Sequence, residues 1–446
     1  MTTVENPYLT GNYAPVSEEI TATDLKVEGV IPAELDGRYI RNGPNPASET
    51  VPDNFHWFTG DGMVHGVRIR GGKAEWYRNR YVRGPETSAA LSEEPLPDPF
   101  GGEKGLSSPN TNVIGHAGRT FAIVEAGGIP MELDYELNTL GYCDFDGTLP
   151  YAFSAHPHLE ASTGELHTVA YYWGWGNQVQ YIRSGVDGKV VQTVDVPTTG
   201  SPMVHDMAFT DRYILILDLP CVFDLDDAMA GSSLPYRWKE DYPARIGLLR
   251  RDGGADDVVW CEIDSCYIFH PMNAYDDADG NVVLDAIRHP KMFATKVTGP
   301  NEGVPLLERW TLNPATGCSS QTNISEIGQE FPRLNEANFG KPYRYGYTVG
   351  ANERLDPHAL LKHDMNTGEV LRHDVPGRQH LEPVFVPREG ATAEDDGWIM
   401  AYAYNVEANS GEVVIIDAQD FAADPIATIT LPQRVPFGFH GNWVSG

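Results

Sequence analysis

Short runs of alternating or β-branched residues, each closed by a turn signal, recur along almost the whole chain. GKVVQTVDVP, RYILILDLP, NVVLDAI, GWIMAYAYNV and GEVVIIDAQ are examples. Between such runs stand RGGKA, DADGN and HDMNTGE. Their Gly, Asp and Asn residues suit tight hairpins, because they tolerate positive φ or hydrogen-bond their own backbone. Helical patterns are few: residues 224–231 (DLDDAMAG) predict one short helix, and residues 314–317 (PATG) predict a turn. Many short strands without the helix-sized spacers of a βαβ unit predict an all-β sandwich, barrel or propeller. No WD or kelch repeat marks out blades. A length of 446 residues would ordinarily suggest two or three domains. No Ser/Pro/Gly tract, charge block or low-complexity run divides the sequence, so residues 1–446 are read as a single domain.

The formal net charge of −31 argues against nucleic-acid binding, which rests on neutralising phosphates with Lys and Arg. It argues equally against electrostatic attachment to an anionic membrane. No apolar run approaches the roughly 18 residues of a membrane span. Peripheral membrane contact through an apolar patch at a tunnel mouth is left open by composition. The N-terminal MTTVENPYLTGNY lacks the charged-then-apolar build of a signal peptide. The five cysteines (Cys143, Cys221, Cys261, Cys266 and Cys318) are odd in number and show no CxxC spacing. Together these features predict a cytoplasmic protein with reduced thiols; a monomer or homodimer is expected.

Four of the fourteen histidines stand in distinctive settings: His156 in FSAHPHLE, His205 in PMVHDMAF, His270 in YIFHPMNAYDD and His440 in PFGFHGNW. Histidine is the commonest metal ligand at neutral pH, and imidazole suits iron, copper, nickel and zinc. The gaps between these four are 49, 65 and 170 residues. Zinc fingers and helical HExxH sites have tight local spacing instead. A single metal held by these four therefore requires a closed fold that brings distant strands to one point. His158, two residues after His156, shares its strand face by simple alternation and is the local competitor.

The settings resemble those of the carotenoid cleavage oxygenase family, and the resemblance runs nearly end to end. It is carried by EGVIPAELDGRYIRNGPNP (residues 28–46), WFTGDGMVH (57–65), SAHPHLEASTGEL, MVHDMAF, FHPMNAYDD, EFPRLNE, LEPVFVPR and VPFGFHGNW, in that order. It implies a seven-bladed β-propeller, with a few short helices and loops capping an axial site. It implies one non-haem Fe(II) per chain, held by His156, His205, His270 and His440. It implies oxidative cleavage of a carbon–carbon double bond by O2 to two carbonyl products.

The resemblance also carries further roles. In the family pattern the histidine between Ala and Pro is the ligand, which separates His156 from His158. Glu125 in AIVEAGG, Glu330 in GQEFPR and Glu382 in HLEPVFVP match glutamates that orient three of the ligands, namely His205, His270 and His440; His156 is left without a carboxylate partner. Thr111 in PNTNVIGHAG matches a threonine that crowds the open coordination position in some members. His65, His289 and His380 have no ligand counterpart and are read as structural or solvent-facing. Aromatic residues near the motifs, Phe58, Phe269 and Phe439 foremost, suit a flat, conjugated, apolar substrate. Relatives that cleave hydroxystilbenes carry a lysine just before the first of the glutamates, where this chain has Val124. Their partner tyrosine falls in a segment that here reads GPETSAALSEEPLPDPFGG. The missing phenol-activating pair favours a carotenoid or apocarotenoid over a 4-hydroxystilbene. The alternatives are cleavage of a stilbenoid or a phenylpropenoid such as isoeugenol, and a non-catalytic propeller that binds apolar ligands.

Overall fold

A computed structural model describes residues 6–48, 51, 55–102, 104–295, 299 and 302–446. The described residues form antiparallel sheets almost throughout, with two short α-helices, Pro85–Ala90 and Leu225–Met229. The chain divides into two compact units: Met1–Val124, Gly128–Asp146 and His373–Gly446 form one, and Glu125–Gly127 with Gly147–Arg372 form the other.

The first unit holds three sheets. One is built around Gly37–Pro44, whose residues are all buried. Gly62–Arg70 pairs with it on one side and Gly441–Ser445 on the other, in the register Gly37↔Ser445 to Arg41↔Gly441. The last strand of the chain thus completes the sheet that the first motif begins. A second sheet runs from Asn112–His116 to Thr139–Tyr142. The third is centred on Gly397–Asn405 and Ser410–Asp417. The run GWIMAYAYN is buried on both faces apart from the half-buried Tyr404. Its Trp398, Met400 and Tyr402 pack with Tyr39, Val67, Tyr77, Val413 and Ile415. Each such aliphatic or aromatic side chain contributes about 1.5–3 kcal/mol by leaving water.

The second unit holds four sheets of four strands, each in simple sequence order, and one short hairpin, Cys221–Phe223 with Tyr236–Trp238. Position within a sheet explains the composition of each strand. The second-place strand Tyr213–Asp218 (YILILD) is almost wholly buried. The fourth-place strand Val190–Pro197 (VVQTVDVP) alternates between half-buried and exposed positions over most of its length. The three sheets of the first unit and the four of the second are the blades of an all-β, seven-bladed β-propeller.

Candidate metal centre

Three of the four histidines lie at the start of successive sheets of the second unit. Pro157 restricts His156 to an extended backbone and removes a ladder donor, so strand His158–Glu160 begins only after it. His205 precedes Ala208–Phe209 in the same way. His270 lies inside Tyr267–Asp276, where the pairing register shifts between Ile268 and Pro271 and again between Pro271 and Asn273. Such irregularities re-aim a side chain. Glu330 sits beside another register shift, and Phe331 after it has φ 53°. Ala126, after Glu125, has φ 58°. A left-handed backbone costs roughly 1–2 kcal/mol for residues other than glycine. Two such residues directly after two buried or half-buried glutamates place that strain where the carboxylates are aimed.

The carboxylates hold the backs of the rings. Glu125 Oε2 lies 2.7 Å from His205 Nδ1, and Glu330 Oε2 lies 2.6 Å from His270 Nδ1. An ionised carboxylate only accepts, so each Nδ1 donates and each Nε2 keeps its lone pair. His205 Nε2 stands 3.2 Å from His270 Nε2 and 3.0 Å from His156 Nε2. The 3.2 Å pair therefore opposes two lone pairs in a buried place, an arrangement that calls for a cation. Two nitrogens bound at about 2.1 Å to one ion lie about 3.0 Å apart at a right angle and about 3.4 Å apart at the tetrahedral angle. The observed separations fit a shared ion in that range. Burial alone would raise the Glu330 carboxyl, but the facing His270 and the hydrogen bonds from His270 and His289 hold it well below the usual carboxylate range.

In the first unit, His440 is held on all sides. Its backbone N–H donates to Thr111 O at 3.1 Å, and its carbonyl accepts from Asn42 N at 3.0 Å. Glu382 Oε1 lies 2.9 Å from His440 Nδ1, and Glu382 Oε2 accepts from Gly441 N at 2.8 Å. Gly43 and Gly438 make the approach possible. A Cβ on Gly438 would come within 2.7 Å of the Gly43 Cα, so RNGPNP and PFGFHGNW touch through bare backbone. All four imidazoles are buried, and each offers one ring nitrogen within 4.8 Å of the others.

The remaining candidates fall into clear positions. Thr111 is buried, and its hydroxyl donates to Asn110 Oδ1 at 2.9 Å. Asn110 in turn donates to Phe58 O at 3.0 Å. Phe58 is half-buried and packs edge-on against Phe439, with ring centroids 5.6 Å apart. Phe269 is buried and stands edge-on to His205 at 5.1 Å. His158 Nε2 meets Asp206 Oδ1 at 2.6 Å, and its ring stacks on Phe339.

Two details differ from the sequence reading. His156 has a carboxylate near it after all: Asp206 Oδ2 is 3.6 Å from its Nδ1, too long for a direct hydrogen bond but close enough for the charge to act. The adjacency of Asp206 to His205 is the sequence signal for it. His65, His289 and His380 are all buried, so solvent-facing is the wrong half of that reading. His65 bonds Tyr77, and burial pushes it down to about 3. His289 reaches Glu330 Oε1 at 2.7 Å.

Known proteins agree with this architecture. The family model described as retinal pigment epithelial membrane protein matches residues 13–445. The chain is 45% identical to the carotenoid cleavage oxygenase of Mycobacterium tuberculosis, over 98% of this chain and 97% of that one. The solved lignostilbene dioxygenase of Pseudomonas brassicacearum superposes with a TM-score of 0.89 at 27% identity, covering 99% of both chains. A solved apocarotenoid oxygenase from Synechocystis gives 0.87 at 26% identity over 98% of both. The protein belongs to the carotenoid oxygenase family and is a dioxygenase of the oxidoreductase class. Among the described residues no helix is long and apolar enough to cross a membrane.

Proposed function

We propose that this chain holds one non-haem Fe(II) on His156, His205, His270 and His440, and cleaves a C=C bond of a carotenoid or apocarotenoid with O2 to two carbonyl products. The observation that carries the reading is the opposed pair of Nε2 lone pairs on His205 and His270, each backed by a carboxylate. Four neutral imidazoles leave the ion's charge intact, and the three glutamates offset it from behind. The dioxygenase class selects a redox metal, since zinc carries no redox chemistry. When bound, Fe(II) supplies the electrons and the open position that O2 chemistry needs.

The chain's own residues position and shelter. Glu125, Glu330 and Glu382 fix the ring orientations and tautomers of His205, His270 and His440. Thr111, whose hydroxyl donates to Asn110, crowds the small reactant, as the family resemblance implies. Phe58, Phe269 and Phe439 supply apolar surface for a conjugated chain and help exclude water. No side chain is assigned as a general acid or base. A polyene needs none, because its conjugation already makes the alkene electron-rich.

The similarity to a lignostilbene dioxygenase supports a second reading, cleavage of a stilbenoid or phenylpropenoid. Against it, Val124 cannot accept a hydrogen bond or stabilise a phenolate. Anaerobic loading with Fe(II), followed by O2 uptake and product mass spectrometry over apocarotenals, resveratrol and isoeugenol, separates the readings. Apocarotenal cleavage with slow or no resveratrol turnover is expected. Fast aromatic aldehyde release with intact apocarotenals would overturn the substrate class while leaving the metal centre standing.

A further inference from the structure

Glu330 holds two imidazoles, and only one of them belongs to the metal centre. Its Oε2 faces His270 Nδ1 at 2.6 Å, and its Oε1 faces His289 Nε2 at 2.7 Å. The carboxylate accepts both hydrogen bonds, so both rings donate. Strand pairing puts His289 there: it ends Val282–His289, which lies beside the strand carrying His270 in the register Tyr267↔His289. The Phe269 ring stands edge-on to His289 at 5.2 Å and 89°, and edge-on to His205 at 5.1 Å and 86°. One phenyl ring thus wedges a ligand on one side and His289 on the other. Glu330 is 1% exposed, and its Oε2 also accepts from Phe331 N; without a donor on Oε1 that second oxygen would keep an unsatisfied lone pair away from water.

From this geometry we infer that His289 is a positioning residue for the metal centre. Resting on the four-histidine reading, it acts through Glu330 to fix the orientation and donor strength of His270. It contributes a hydrogen bond rather than a ligand, and the plane of the Glu330 carboxylate is what it sets. A donor at this place matters more than an imidazole as such. Glutamine should therefore substitute for it, and phenylalanine, which fills the slot but cannot donate, should not.

The test uses the full chain with Co(II) as a spectroscopic probe, loaded anaerobically. Affinity, release rate and visible absorption are read for wild type, His289→Phe, His289→Gln, Glu330→Gln and the double variant His289→Phe/Glu330→Gln. His289→Phe is expected to weaken Co(II) retention by roughly 3–10-fold, at or below the low end for an outer partner of a ligand, and to shift the absorption bands. His289→Gln should stay within about twofold of wild type, and His289→Phe should add little in the Glu330→Gln background. A purely structural His289 would lower the melting temperature of the metal-free protein without moving the Co(II) spectrum, and that result overturns the inference. So does an equal loss from His289→Phe with and without Glu330. Should His289→Phe not fold, a His289→Gln spectrum and affinity unlike wild type count against it. Wild type that binds no Co(II) or Fe(II) would sink the metal centre itself, and the role of His289 with it.

Discussion

Among the described residues, two clusters bring together side chains that could hold a cation, and they are built in opposite ways. One is the set His156, His205, His270 and His440; the other is Glu160, Glu165 and His167. In the second, the positive charge is already present. Arg251 Nη1 donates to Glu160 Oε1 at 3.0 Å, Arg251 also bonds Glu160 Oε2, and Arg183 Nη1 donates to Glu165 at 2.9 Å. His167 stays neutral, with burial pushing it down to about 4; its Nδ1 is bonded to Tyr181 at 2.8 Å, and its Nε2 lies 3.2 Å from both Arg251 and Glu160, accepting from the one or donating to the other. In the first cluster Glu125 and Glu330 stand behind His205 and His270 and turn their Nε2 lone pairs toward one another. The lesson is that residue type does not make a metal site. The direction of the lone pairs does.

The contrast is broken most severely by removing a ligand. Alanine at His156, His205, His270 or His440 should cost more metal affinity than the roughly 100-fold upper range for an outer partner. His167→Ala and Glu160→Gln should leave metal content unchanged. Metal analysis after anaerobic Fe(II) loading checks both halves, and full retention in any one of the four removes that residue from the set.

Next in size are the glutamates. Glu330→Gln and Glu382→Gln should keep the fold and weaken iron binding or turnover by about 10–100-fold, because glutamine preserves shape and removes charge. Unchanged affinity and turnover in both would contradict their assignment.

Arg251→Ala should do the reverse, costing stability and leaving the metal alone. Removing one partner of a largely buried pair leaves Glu160 without its strongest hydrogen bonds, a loss of about 1–3 kcal/mol. A urea midpoint equal to wild type would show the pair to be inert.

The pH dependence of stability follows from the same cluster. Arg251 chiefly holds Glu160 down to about 2 against the opposing effect of burial, so its contribution is present above about 4.5 and is lost as pH falls toward 2. Burial chiefly holds His167 at about 4, so between 6.5 and 4 the unfolded chain takes up a proton that the folded chain refuses. Both lower stability on acidification. Urea midpoints between pH 6.5 and 4 should fall less steeply in His167→Gln than in wild type; equal slopes would count against the assignment.

The smallest expected effect sharpens the boundary of the site. His158→Ala should keep the metal within about twofold, since its Nε2 is engaged by Asp206. Loss of metal there would make His158 rather than His156 the ligand.

Much of this was legible in the chain because strand composition is a local property. The runs RYILILDLP and GEVVIIDAQ became Tyr213–Asp218 and Ser410–Asp417. The pattern DLDDAMAG became the helix Leu225–Met229, with the Asp224 side chain accepting from Asp227 N. The helix Pro85–Ala90 was not legible, because the proline-rich and acidic stretch around it looks like loop, and its own proline is tolerated only at the first turn. The blades were not legible from repetition either, since a blade is defined by which strands pair and not by which residues recur. The roles of Asp206 and His289 were not legible for the same kind of reason: what matters about them is what they face.

By itself the sequence determined the strands and the turns, because propensity and alternation act over a few residues; the four histidines stood out only through the resemblance of their motifs to a known family. The tertiary structure decided which ring nitrogen each histidine presents, which carboxylate stands behind it, and that Glu330 serves two rings at once. Those choices depend on register shifts, on left-handed residues such as Ala126 and Phe331, and on a bare-backbone contact between Gly43 and Gly438, almost four hundred residues apart in the chain. A side chain's direction is set by the strand beside it, and that neighbour is chosen only when the sheets close.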